Sequence, residues 1–137
     1  MQQQTKFAAT ITKIIDAAGK GEAFRTADHF HVRIKNSGWM DLVIESFPSP
    51  QYPGRRNISV AHYYEQNGDL VPDPEVEIVD TGMPIGLSQW CGYTACVWEQ
   101  DGKLMLAPRA KAEVMSFLNI WERNLRHQGF LAAAKAA

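Results

Sequence analysis

Apolar residues recur along this chain at two periods, and the change of period marks a change of element. Phe7, Ile11, Ile14, Ile15 and Ala18 fall three or four apart, on one face of a helix. Gly19 and Gly21, on either side of Lys20, end that helix. From residue 29 the period drops to two. Phe30, Val32 and Ile34 alternate with His29, His31, Arg33 and Lys35, as in a strand with one buried and one wet face. Asn36-Ser37-Gly38 supplies a turn, and residues 40–47 read as the returning strand, with Leu42 and Ile44 toward the same core. The prolines at 48, 50 and 53 remove ladder donors, so residues 48–56 are predicted to form a loop.

Residues 58–64 make a third strand, with Ile58, Val60, His62 and Tyr64 on one face and Ser59, Ala61 and Tyr63 on the other. The segment after it is rich in Asn, Gly, Pro and carboxylates and reads as a long polar turn, with a fourth strand starting at Val76 and including Ile78 and Val79. Gly82, Pro84, Gly86 and Gly92 interrupt residues 81–93, while Met83, Ile85, Leu87 and Trp90 keep them apolar. The expectation is an irregular loop packed onto the core. Residues 94–98 and 103–106 flank Asp101-Gly102, a pair that tolerates the positive φ values of a tight hairpin. Val114, Phe117, Leu118, Trp121 and Leu125 return to helical spacing, between Pro108 and Gly129. The alanine-rich tail, residues 130–137, is expected to fray. The sum is one α+β domain over residues 1–137. Its sheet is mainly antiparallel, with five or six strands, and is flanked by an N-terminal and a C-terminal helix that can cover one face.

Composition narrows the function. Fourteen basic and 15 acidic side chains leave a net charge of -1, against a protein devoted to the nucleic-acid backbone and equally against an acidic DNA mimic. With 45% hydrophobic residues the chain can bury a core without disulfides or metal. Cys91 and Cys96 lack C-x-x-C spacing and a completing His or Cys set, so they read as two small hydrophobes in a reducing compartment. The N-terminal residues lack a signal-peptide pattern, and no apolar run is long enough for a bilayer. A soluble, cytoplasmic protein with no membrane association is expected.

Candidate chemistry is sparse. Asp69, Asp73 and Glu75, with His62, could hold a divalent cation or serve a metal-dependent hydrolase or nuclease-like enzyme, yet their spacing lacks the alternating oxygen ligands of a calcium loop. Turn chemistry explains the same residue types without a ligand, so no metal and no cofactor are assigned. His29 and His31 form an H-x-H pair that lacks a third ligand. Ser59, Ser88 and Ser116 have no nucleophile-elbow context, no Glu-x-Lys completes a nuclease motif, and no phosphate-cradling loop is present. The partner-binding candidates are Tyr52, Arg55 and Arg56, an aromatic beside two guanidinium groups, and Trp90 in the apolar loop.

The run from His62 to Glu77, with His62-Tyr63, Gln66-Asn67-Gly68-Asp69-Leu70 and Asp73-Pro74-Glu75, resembles the signature of an uncharacterised bacterial family carried on plasmids, integrative elements and prophages. Residues 40–45 fit that family's preceding strand. The resemblance covers the middle third of the chain, does not extend clearly into residues 81–93 or the last helix, and brings no catalytic residues. It implies a mobile-element context. The leading expectation is therefore a small non-enzymatic accessory protein that contacts a host or element-encoded protein, for example as an inhibitor of restriction or CRISPR defence. The alternatives are the metal-dependent enzyme and a nucleic-acid-binding module built on Tyr52, Arg55 and Arg56. A homo-oligomer is open.

Overall fold

The computed structural model describes residues 4–89 and 92–137, with Leu70 described by its backbone only. Helix α1 (Lys6–Ala17) begins at Thr5, whose side chain accepts from the Ala8 amide. It buries Phe7, Ile11, Ile14 and Ile15, the apolar face read from the sequence. Gly19 ends it with a positive φ, and a short α2 (Gly21–Thr26) follows that the periodicity did not reveal, because six residues are too few to show a stripe. Phe24 of α2 meets Phe30 edge-on at 5.3 Å.

The next elements form one antiparallel sheet in sequence order: β1 (Phe30–Ile34), β2 (Asp41–Pro48), β3 (Arg56–Gln66), β4 (Asp69–Val79), β5 (Pro84–Gln89) and β6 (Gly92–Ala95). A separate hairpin pairs β7 (Val97–Gln100) with β8 (Lys103–Leu106). The chain closes with α3 (Pro108–His127) and α4 (Phe130–Lys135). The fold is α+β, as the patterning indicates. Val32, Ile34, Leu42, Ile44, Ile58, Val60, Val76 and Ile78 line the covered face of the sheet and are buried against the helices. From α3 come Leu118, Trp121 and Leu125, and from α4 come Phe130 and Ala134.

Five expectations need correction. First, the polar segment between Tyr64 and Val76 is not a long turn. Only Asn67 and Gly68 turn, with φ 52° and 84°, the geometry of a two-residue hairpin, and the strands run up to them on both sides. Prolines 72 and 74 are tolerated because β5 pairs only with Glu75–Ile78. Among the described residues, 69–72 pair with β3 alone and 73–74 fall in the register shift, so a missing N–H at 72 or 74 removes no ladder bond there. Second, residues 84–89 are strand β5 rather than loop. Pro84, Ile85, Gly86 and Leu87 are buried in a continuous run without the alternation that betrays a half-buried strand. Gly86 is required there, because a Cβ would collide with the Tyr93 ring lying across it. Third, residues 94–98 are split at Cys96, whose amide donates to Ile85 in the large sheet while its carbonyl accepts from Ala107 beside the hairpin. Fourth, the alanine-rich tail does not fray. Gly129, at φ 84°, redirects the chain, and Phe130 and Ala134 are fully buried in α4. Pro48 also proves to be the last residue of β2 rather than part of the loop.

Helix α3 is tied to α1 by a buried charge. Glu122 accepts from Thr10 Oγ1 at 2.7 Å and from Arg126 Nε at 2.6 Å. The Arg126 hydrogen bond, with help from Thr10, holds the Glu122 carboxyl below its usual range against the opposing effect of burial. Thr10→Val keeps the side-chain shape and removes one donor to this carboxylate. It should lower unfolding stability by about 1.5–3 kcal/mol in urea titrations, with little change in secondary structure by circular dichroism.

Candidate functional site

β3 and α3 meet at one polar contact inside an apolar setting. The register of β3 against β4 shifts between Ala61 and Tyr63, and His62 points from this irregularity toward the helices. Trp121 Nε1–H donates to His62 Nε2 at 3.0 Å. An indole nitrogen is only a donor, so Nε2 carries no proton and the neutral ring keeps its hydrogen on Nδ1. That Nδ1–H faces the Asp41 carbonyl at 3.4 Å. Phe130 packs against the imidazole at 5.5 Å between ring centroids, and Phe7 against Trp121 at 5.2 Å. Burial holds the His62 pKa below the ordinary imidazole value, outweighing the backbone carbonyls of Asp41 and Met40. Both ring nitrogens are engaged, which leaves His62 without a lone pair for base chemistry.

A cleft of about 260 Å³ opens above this pair. His62 and Trp121 belong to its lining, with Pro74 from β4 and Phe117 from α3. The rim carries three large apolar side chains left in solvent: Trp39 at 51% exposure, Met40 at 42% and Ile120 at 54%. Trp39 and Met40 come from the β1–β2 turn and Ile120 from the outer face of α3. Scattered exposed apolar residues are ordinary, but three around one concave site form a patch. The sequence reading missed this site. Its signal was present as Trp39-Met40 in a turn and Ile120 off the buried stripe.

The residues singled out from sequence do not converge. Asp69 is exposed beside the Asn67-Gly68 turn, opposite Gln66. Asp73 is half-buried further along β4. Glu75 lies opposite Ala61, on the face of the sheet turned away from His62. There it shares the surface with Glu45 and Glu77. Burial first, then those two carboxylates, holds Glu75 above the usual carboxylate range, against a hydrogen bond from Ser59. Among the described residues, no group of three or more His, Cys, Asp or Glu side chains is placed to hold a metal ion. His31 sits on β1 opposite Glu45, while His29 precedes the strand.

Tyr52 is half-buried against the core. Arg55 makes an ion pair with Asp80 at 2.7 Å. Arg56 donates to Ser46 Oγ at 2.9 Å and to the Asp28 carbonyl at 3.1 Å. Trp90 and Cys91 lie outside the described residues. Cys96 is a buried free thiol whose pKa burial pushes up, so it is a poor nucleophile. No helix among the described residues is long and apolar enough to cross a membrane.

The His62 geometry has a pH consequence. Folding holds the ring neutral where an unfolded chain's histidine would take up a proton. The contribution of His62 is therefore complete above a pH of about 6.5 and is lost as pH falls below that, toward the lower native pKa. His62→Gln offers Trp121 an uncharged acceptor. It should flatten the fall in melting temperature between pH of about 7 and about 5.5; an unchanged slope would remove His62 as its source.

No curated protein matches the chain, and no solved structure does. A family model does, over residues 9–131, so that it spans the hairpin at 62–77, the cleft and nearly all of the helical layer: the chain belongs to the domain of unknown function family DUF6908.

Proposed function

We propose that this protein is a non-enzymatic binding module that acts by protein–protein contact, with the cleft between the β1–β2 turn and α3 as its docking site. The observation that carries the reading is the exposed Trp39, Met40 and Ile120 rim around a floor where the Trp121 indole and the His62 imidazole are paired with each other, with the uncharged Asn124 and Gln128 completing the lining. Such a site offers apolar area and no reactive group. Its volume of about 260 Å³ falls below the roughly 300–1,000 Å³ of small-molecule pockets and suits one large apolar side chain of a partner. Anchors of that kind dominate interface energetics.

The alternatives draw less support. The metal-enzyme reading needs His62, Asp69, Asp73 and Glu75 together, and they lie on different faces and at different heights of the sheet. The nucleic-acid reading needs Arg55 and Arg56 to face a backbone, and both are engaged within the protein. The finer role, an accessory factor of a mobile element that blocks a host defence enzyme, rests on the likeness of residues 62–77 to a plasmid- and prophage-borne signature.

The test is affinity capture from host lysate with the wild-type protein, Trp39→Ala and Ile120→Asp. Both positions are exposed, so folding should be preserved, which thermal melting checks. A partner held by the wild type and released at least about tenfold more readily by both variants is expected, since an anchor contact is worth more than about 1.4 kcal/mol. Equal retention by the variants, or no specific partner, overturns the cleft as the docking site. Calorimetry with manganese, magnesium and zinc guards the other side: a strong heat abolished by Asp69→Ala would move the protein to the enzyme class.

A further inference from the structure

The β7–β8 hairpin carries apolar residues on both of its faces. Trp98 and Met105 are directly opposite each other on one face; Val97 with Leu106, and Glu99 with Leu104, share the other. Four of these are strongly exposed: Trp98 at 39%, Leu104 at 40%, Met105 at 37% and Leu106 at 61%. Met83, also exposed, lines the same small cleft as Leu106 and continues the surface. An isolated pair of four-residue strands is marginal in water, and one apolar on both sides is more so.

The ladder shows where the free backbone groups point. The Ala107 amide donates to the Cys96 carbonyl, and the two-residue turn at Asp101-Gly102 closes the Gln100–Lys103 pair. Hydrogen-bonded pairs alternate along an antiparallel ladder, so Lys103, Met105 and Ala107 face β7. Leu104 and Leu106 therefore direct their N–H and C=O groups outward. Among the described residues, β8 pairs only with β7.

We infer that this edge joins a second copy of the same chain, β8 against β8 in antiparallel register about a two-fold axis at Met105. In that register Leu104 of one copy meets Leu106 of the other, twice, and all four outward backbone groups on each strand gain partners. A four-stranded sheet results. One of its faces carries a continuous row of Trp98, Met105, Met105 and Trp98, in which sulfur meets indole. Each Lys103 falls opposite an Ala107 of the other copy, so no like charges meet. Moving the axis to Leu104 pairs Leu106 with the turn residue Gly102, and moving it to Leu106 pairs Leu104 with Pro108, which has no amide hydrogen.

Edge pairing covers the side of β8 away from β7 and leaves both faces of the hairpin in solvent, so its apolar gain is the contact of Leu104, Met105 and Leu106 with their counterparts, added to the backbone hydrogen bonds. This surface shares no lining residue with the Trp39 cleft, and the inference stands whether or not that cleft docks a partner.

Sedimentation equilibrium of the full chain should give twice the 15.4 kDa chain mass. Leu106→Lys replaces both Leu106–Leu104 contacts of the pair and puts a charge at each, and should weaken the dimer more than about 100-fold. Because both copies of residue 105 lie at the axis, Met105→Cys should form an intermolecular disulfide under mild oxidation. Leu104→Cys and the wild type, with its own cysteines, should not. A monomer at every soluble concentration overturns the inference. A dimer that Leu106→Lys leaves intact and Met105→Cys fails to link overturns this edge; a folding defect in one variant still leaves the other to decide.

Discussion

The hydrogen bond from Trp121 to His62 is the polar contact on which the helical layer and the sheet agree. It lies among Phe7, Phe117 and Phe130, where an unpaired imidazole or indole would be costly. It positions α3 over β3, and it selects the Nδ1–H tautomer of the imidazole. It also forms the floor of the cleft. The same contact occupies the one free lone pair of the imidazole. A residue type that invites a mechanism is here consumed by architecture.

The second constraint is that the helices cover one face only. The apolar residues that alternation places inward on the central strands form one buried cluster with those of α1, α3 and α4. The other face receives what remains: Glu45, Ser59, Glu75 and Glu77, with Tyr93 lying across Gly86 and the 49–55 loop tied down where Asn57 donates to Gln51 and Glu77. Burial first, then Glu45 and Glu77, raises the cost of ionising Glu75, and the three do not converge on an ion. Their separation from His62 follows from the pleat itself, since a strand sends neighbouring side chains to opposite faces.

Period-two alternation made β1, β2 and the middle of β3 legible, and the helical stripes gave α1 and α3 nearly residue by residue. The Asp101-Gly102 hairpin was equally readable, because few residue pairs accept two positive φ values. The failures share a physical origin in context. Proline argues against a strand only where a ladder bond is needed, and beyond the reach of β5 none was needed at 72 and 74. β5 hid because burial on both sides erases alternation. Phe130 and Ala134 anchor an otherwise featureless alanine tail, a contact that local composition does not announce. The cleft is assembled from a turn, two strands and a helix, so no window of sequence contains it.

Helix α3 connects the two exposed apolar surfaces. It begins at Pro108, two residues past β8, and lines the cleft from Phe117 onward. At 1.5 Å per residue, Ile120 stands roughly 18 Å along the axis from Pro108. That distance is about the length of a typical strand, enough to keep an occupant of the cleft clear of a neighbour on the hairpin. The helix is a stiff element pinned at its middle by Trp121 and at Glu122 by Thr10, so the spacing is fixed by packing rather than by a linker. Two copies joined at β8 would therefore hold two clefts at a set separation. A partner that offers two anchors would then bind with an effective concentration set by that geometry, and a monomeric partner would gain nothing from the pairing. The arrangement gives the hairpin a physical use that its short, doubly apolar strands cannot have in isolation.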